Sequence, residues 1–303
     1  MQHPVVLLNN PIEIDYSELL INVISLIKGC NQLDILILHQ INDASNLNEV
    51  LYKYYTLVRT EVQASSWFDH SFQINIIFNI SDDKIRKLAQ NWNRAIFAQA
   101  EMNVIKAPKS QITALDVNLE HSKFSPPSKT EKKSIGQFKT TAVGGTFDHL
   151  HDGHKILLSM ASFLTKSRMI IGITGSELLK NKKFGDALES FSKRQQSVTT
   201  FLHMIMGDDH YYEVYEINDV CGPTGYIEDI DGLVISLETA SGGDFVNKYR
   251  REQGYKQLDI TAIKVIGQSE TNNAENSWKG KISSTDIRAQ ELEKTKSLEQ
   301  FSR

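Results

Sequence analysis

Residues Gly144 to Lys155 read GGTFDHLHDGHK and lead into an apolar run with helical spacing. Glycine lets a backbone turn sharply and lets a ligand come close. The helix that follows is expected to begin near Asp152-Gly153-His154. Free N–H groups and the positive dipole end at a helix start favour an anion. His151 and His154 are three apart, so they can point the same way on a first turn, whereas His149 points elsewhere. Backbone donors and imidazoles gathered at one spot suit phosphate chemistry. The stretch is not a Walker loop, for it lacks G-x-x-x-x-G-K-[ST], and it lacks the dinucleotide fingerprint G-x-G-x-x-G. A metal site built from His149, His151, Asp152 and His154 is the alternative, but no HExxH or Cys/His framework accompanies it.

A second candidate is Lys281-Ile282-Ser283-Ser284-Thr285-Asp286-Ile287-Arg288. Three hydroxyl residues precede a helix-like run beginning at Asp286. They read equally well as an N-cap and as a second helix start offering hydroxyls, amides and Arg288 to a polyphosphate.

These residues need a frame. From Thr140 to Val143 the pattern predicts a strand, then a helix over 155–164 and a strand over 169–173. A helix over 191–206 follows, with Val198, Phe201, Leu202 and Ile205 on one face, then strands over 211–217, 233–235 and 260–266, with a helical stretch over 244–251. Alternating strands and helices predict an α/β fold, a Rossmann-like, doubly wound parallel sheet in the C-terminal half, and such sheets bind ligands at the carboxyl ends of their strands.

The N-terminal half is chemically quiet. Strands over 4–8, 33–38 and 74–78, with a helix over 19–27, predict a smaller α/β domain in which glycine is nearly absent, so no phosphate-cradling loop is expected. Between the halves, KFSPPSKTEKKSIGQ has the composition of a linker. The expected boundaries are 1–122 for the N-terminal domain, 123–137 for the linker and 138–303 for the C-terminal domain.

Composition limits the function. A net charge of −4 argues against a general nucleic-acid binder. Cys30 and Cys221 stand far apart without metal-ligand spacing, as free thiols do in a reducing compartment. The start lacks a secretory h-region, and no apolar stretch approaches the ~20 residues that span a bilayer. A cytoplasmic protein without membrane insertion is expected.

Taken together, GGTFDxxHxGH and ISSTxIR resemble the nucleotidyltransferase superfamily with the HxGH signature. Within it the chain resembles the eukaryotic phosphopantetheine adenylyltransferases, especially the fungal ones. Supporting segments are Glu177 to Lys183, Asp219 to Gly225 and Val234 to Thr239. The resemblance covers about Phe138 to Arg288; the N-terminal half resembles the leader of the same eukaryotic proteins and carries no motif.

The resemblance implies transfer of AMP from ATP to 4'-phosphopantetheine, giving dephospho-CoA and pyrophosphate in coenzyme A synthesis. It implies His154 at the α-phosphate in the transition state. His151 and the Ser283-Ser284-Thr285 turn would hold the ATP phosphates, with Arg288 neutralising charge on them. Gly145, Thr146, Phe147 and Gly153 would line the ATP pocket, Thr146 also bonding the acceptor phosphate. Lys180 or Lys182 would hold 4'-phosphopantetheine and bridge the substrates; the choice between them stays open. Asp148 would order the turn. Mg²⁺ would enter with ATP, held by phosphates and water rather than by a protein cage.

Two departures stand out. Animal relatives carry an arginine where this chain has Ala240-Ser241-Gly242-Gly243, and Asn247, Lys248, Arg250 and Arg251 on the following helix are candidates to compensate. No Walker loop follows, so another protein is expected to complete CoA, and other enzymes of the pathway are candidate partners through the N-terminal domain. Two further functions are compatible with these residues: a cytidylyltransferase acting on a phospho-alcohol, and a non-catalytic binder of CoA precursors.

Overall fold

The computed structural model describes residues 3–67, 71–107, 111–122, 133–207, 210–266 and 283–301. The chain divides into two compact units, one holding the residues up to Ile135 and the other most residues from Gly136 onward. Part of the expected linker, 123–132, and Lys281-Ile282 lie outside the described residues. Residues 133–135 join the first unit, where Ala44 N donates to Lys133 O (2.9 Å) and Ile135 N to Asn42 O (3.2 Å).

The first unit runs β1 (Pro4–Leu8), β2 (Ile14–Asp15), α1 (Ser17–Leu26), β3 (Gln32–Ile37), α2 (Ala44–Ala64), β4 (Gln73–Ile77), α3 (Asp82–Leu88), β5 (Arg94–Ala98), β6 (Gln111–Leu115) and β7 (Glu120–His121). Its sheet has the order β4-β3-β1-β5-β6, every pair parallel. β1 is buried along its whole length, as a strand covered on both faces must be. The longest helix, α2, is absent from the sequence expectations. Its buried stripe runs through Leu47, Val50, Leu51, Tyr54, Tyr55, Val58 and Val62, and Asp43 caps it by accepting from Asn46 N at 3.0 Å.

The second unit runs β8 (Phe138–Gly145), α4 (Asp152–Leu164), β9 (Thr165–Thr174), α5 (Phe191–Ile205), β10 (Tyr211–Ile217), β11 (Gly232–Ser236), α6 (Ala240–Glu252), β12 (Asp259–Ile263) and α7 (Ser284–Phe301). The order is β10-β9-β8-β11-β12, again all parallel. The expected α/β fold with a Rossmann-like C-terminal sheet is present. Strand by strand within its own unit, each sheet reads third, second, first, fourth, fifth. The order reverses beside the first strand, so the switch points lie at β1/β5 and β8/β11. Ala142, Ile170, Ile230, Leu233, Val246 and Leu258 form one core cluster under the second sheet. Burying side chains of this size stabilises by about 1.5–3 kcal/mol each for the larger ones.

Candidate active site

β8 carries Gly144 and Gly145 to its carboxyl end, beside the switch point. The loop after it is bent hard: Phe147 has φ 51° and His149 φ 45°. Left-handed backbone costs a residue other than glycine of order 1–3 kcal/mol, so it persists only where surrounding contacts fix it. Gly145 and Gly153 are there for close approach. A Cβ on Gly145 would lie 3.1 Å from the Phe147 ring, and one on Gly153 3.2 Å from His151 Cε1.

His151 is the N-cap position of α4, and His154 sits in its first turn. Their rings stack, centroids 3.8 Å apart and 21° from parallel. Phe147 backs His154 at 5.3 Å between centroids. The His154 ring is half-buried, yet its Nδ1 is sealed from solvent and makes no hydrogen bond. Burial first, then the neighbouring His151 and then Lys182, press its pKa well below the ordinary value near 6.5. It is therefore a neutral imidazole at physiological pH, able to donate a hydrogen bond without carrying a charge.

The same electrostatics separate the two candidate lysines. Lys182 acts on His154. Lys180 pairs with Glu177 on the exposed surface.

Asp148, wholly buried, ties the loop together. One carboxylate oxygen accepts from Glu189 N at 2.9 Å, and the other pairs with Arg288. Glu189 in turn accepts from His149 N at 2.7 Å, and His149 Nε2 meets Ala187 O at 2.9 Å. His149 thus faces the 185–189 segment and away from the stacked pair.

The hydroxyl turn of α7 reaches the same place. Ser283 and Asp286 form a capping box: Ser283 Oγ accepts from Asp286 N (3.3 Å), while the Asp286 carboxylate accepts from Ser283 N (3.2 Å). Ser284 Oγ donates to Asp148 O at 2.8 Å. Arg288 is only 2% exposed and spends its donors on Asp148, on Lys183 O (3.1 Å) and on Thr285 Oγ1 (3.2 Å). The two sequence motifs meet, with Arg288 facing Asp148 and the chain around it.

One residue that sequence reasoning missed is Arg194, also 2% exposed. Its guanidinium donates to Thr146 O (2.7 Å), Thr174 O (2.9 Å) and Glu189 O (3.2 Å). The available signal was spacing: Arg194 lies one turn before Val198, on the buried stripe of α5. Arg250 corrects an expectation. It is wholly buried and donates to Thr224 O, Ile227 O, Glu228 O and Lys256 O, and Asn247 bonds the backbone of Leu258. Neither is free to replace the missing arginine. Among the described residues no group of three or more His, Cys, Asp or Glu side chains is arranged to hold a metal ion.

Residues 142–290 match the Cytidylyltransferase-like family. The phosphopantetheine adenylyltransferase of Saccharomyces cerevisiae is 36% identical over 263 residues, 85% of this chain and 82% of that protein. An uncharacterized protein of Schizosaccharomyces pombe is 34% identical over 69% of this chain and 68% of its own length. The phosphopantetheine adenylyltransferase of Pyrococcus abyssi is 35% identical over 43% of this chain and 81% of its own length.

Proposed function

The chain belongs to the phosphopantetheine adenylyltransferase family, and from that premise we propose that it transfers AMP from ATP to 4'-phosphopantetheine, giving dephospho-CoA and pyrophosphate. The observation that carries this is the meeting of Ser284 with the Asp148 carbonyl. It joins the hydroxyl turn to the stacked histidines at the carboxyl end of β8.

The acceptor phosphate is already an anion, so the reaction needs placement and charge stabilisation more than a strong base. His154, neutral and backed by Phe147, donates to the α-phosphate as charge builds there; one such preorganised donor is worth about 10²–10³ in rate. His151, the α4 amides at Gly153 and the Ser283-Ser284-Thr285 turn hold the ATP phosphates. Gly145 lines the pocket and Thr146 bonds the acceptor phosphate, while Phe147, expected to line it, is wholly buried and supports the His154 ring from behind. Lys182 bridges the two substrates; its influence on His154 supports it over Lys180. Arg288 acts through Asp148 rather than by direct contact, in keeping with their buried pairing.

Family membership implies a divalent ion with ATP, and we take it to be Mg²⁺. The Asp148 carboxylate is already occupied by Glu189 N and Arg288. Among the described residues no cluster of acidic, His or Cys side chains is arranged to hold it, and no step is assigned through the ion. No helix among the described residues is long and apolar enough to cross a membrane. The proposed setting is the cytoplasm, with boundaries at 1–122, 123–137 and 138–303. The N-terminal unit serves there as an interaction module for other enzymes of CoA synthesis, and co-purification of such enzymes by the full chain but not by a Phe138–Arg303 fragment would support that role.

Pyrophosphate release from purified protein tests the reaction. Release is expected to need both ATP and 4'-phosphopantetheine and to collapse in His154→Ala. Turnover with CTP and a phospho-alcohol instead would move the chain to the cytidylyl branch.

A further inference from the structure

We propose that Arg194 is a positioning residue for adenylyl transfer, acting through the phosphate-facing loop and never touching substrate; this rests on the function proposed above. Its guanidinium reaches three backbone carbonyls from three different segments. Thr146 O belongs to the loop after β8, Thr174 O ends β9, and Glu189 O closes the 185–189 segment. A rigid fork of five donors suits such a task, and a lysine ammonium does not reproduce it.

The location of these carbonyls gives the clamp its meaning. Thr146 directly precedes Phe147, the first left-handed residue of the bent loop, and Phe147 backs the His154 ring. Glu189 is the residue whose amide holds Asp148 and whose carboxylate holds His149 N. One buried side chain therefore holds the start of the turn that presents the stacked imidazoles directly, and its middle, Asp148 and His149, through Glu189. The ring of Phe191, 5.6 Å from the Arg194 guanidinium carbon, covers it from the side. No surface role competes, since the side chain is almost fully enclosed.

A misplacement of about 1 Å at a reacting centre can cost about 10²-fold in rate. Arg194→Ala is accordingly expected to lower kcat by about 100-fold while KM for each substrate moves far less. The decisive measurement is a cycle of Arg194→Ala, His154→Ala and the double variant in the full chain, read as kcat for pyrophosphate release with ATP and 4'-phosphopantetheine. Because Arg194 acts through the placement of His154, its removal should cost almost nothing more once His154 is gone. Multiplied losses in the double variant, or a loss confined to KM, would overturn the inference. If Arg194→Ala fails to fold, Arg194→Lys is read in the same cycle, with a smaller loss of the same non-multiplying kind expected. A fully active His154→Ala variant would instead overturn the site reading, and the part given to Arg194 with it.

Discussion

Two regions of this molecule share a strand order and differ at one place. In the second unit, β8 ends in Gly144-Gly145 and the loop beyond it presents two stacked imidazoles at a helix start. In the first unit, β1 ends at Leu8, and the amides of Asn9 and Asn10 donate to Tyr16 Oη at 3.1 and 3.2 Å. Tyr16 Oη passes its own proton toward Glu101 Oε1 at 2.6 Å, just past the end of β5. Tyr16 and Glu101 are buried, and Tyr54 Oη closes the cluster by accepting from Tyr16 N. Amides that could face an anion are thus taken up by a phenol of the same chain. The sheet supplies a place for a ligand; the residues after the first strand decide whether one can enter.

The largest effect that sharpens this contrast is expected in the second unit. His154→Ala should lower kcat by about 10²–10³-fold with an unchanged melting temperature. An equal loss from a change at the first switch point would break the contrast. Tyr16→Phe tests that side. It leaves two half-buried amides without their acceptor and takes the Tyr16 donor from the Glu101 carboxyl, which keeps its contact with Asn9, and should cost about 1–3 kcal/mol of stability and leave kcat intact. Chemical denaturation beside steady-state kinetics reads both, and lost turnover in a folded Tyr16→Phe protein would give the first unit a part in the reaction.

Acid should act on the two switch points with opposite signs. His154 is held below its ordinary value near 6.5, so below that pH the unfolded chain gains a proton the folded one refuses. Stability from this group is present above about pH 6.5 and falls as pH drops, by at most about 1.4 kcal/mol per unit. Burial pushes Glu101 above its ordinary 4.5, outweighing the lowering contacts from Tyr16 and Asn9. The folded chain then takes up a proton first, and stability from Glu101 grows as pH falls toward 4.5. Hydrogen exchange at pH 7 and pH 5 should show amides around α4 losing protection relative to those around β1 and β5. Matching changes in both would contradict this. The smallest effect belongs to Lys180→Ala, which removes an exposed pair with Glu177 and should alter turnover by less than about twofold. A larger loss there than in Lys182→Ala would exchange their roles.

The frame was legible because it is written locally. Pro4–Leu8 and Tyr211–Ile217 are apolar-rich runs whose ends the sequence marks, and both strands form over those residues. The glycines and histidines after β8 announced themselves by type and spacing. Contacts across long separations were not legible. Spacing turns Arg194 inward and leaves Arg250 looking like a surface charge, and nothing in either motif names the distant carbonyls they bind. Tyr16 and Glu101, eighty-five residues apart, carry no motif. α2 escaped because Tyr54, Tyr55 and Arg59 interrupt the aliphatic residues of its buried stripe, among polar residues that blur the period. Lys180 and Lys182 differ only by which neighbour the fold brings to each.

The bond from Ser284 to Asp148 spans 136 residues, and the pairing of Arg288 with Asp148 spans 140. A ribosome makes the loop long before it makes the helix that completes it, and domains fold from the N-terminal side first. The first unit can close while the histidine loop still waits for α7. Until α7 emerges, a nascent chain holds the imidazoles without their partner turn.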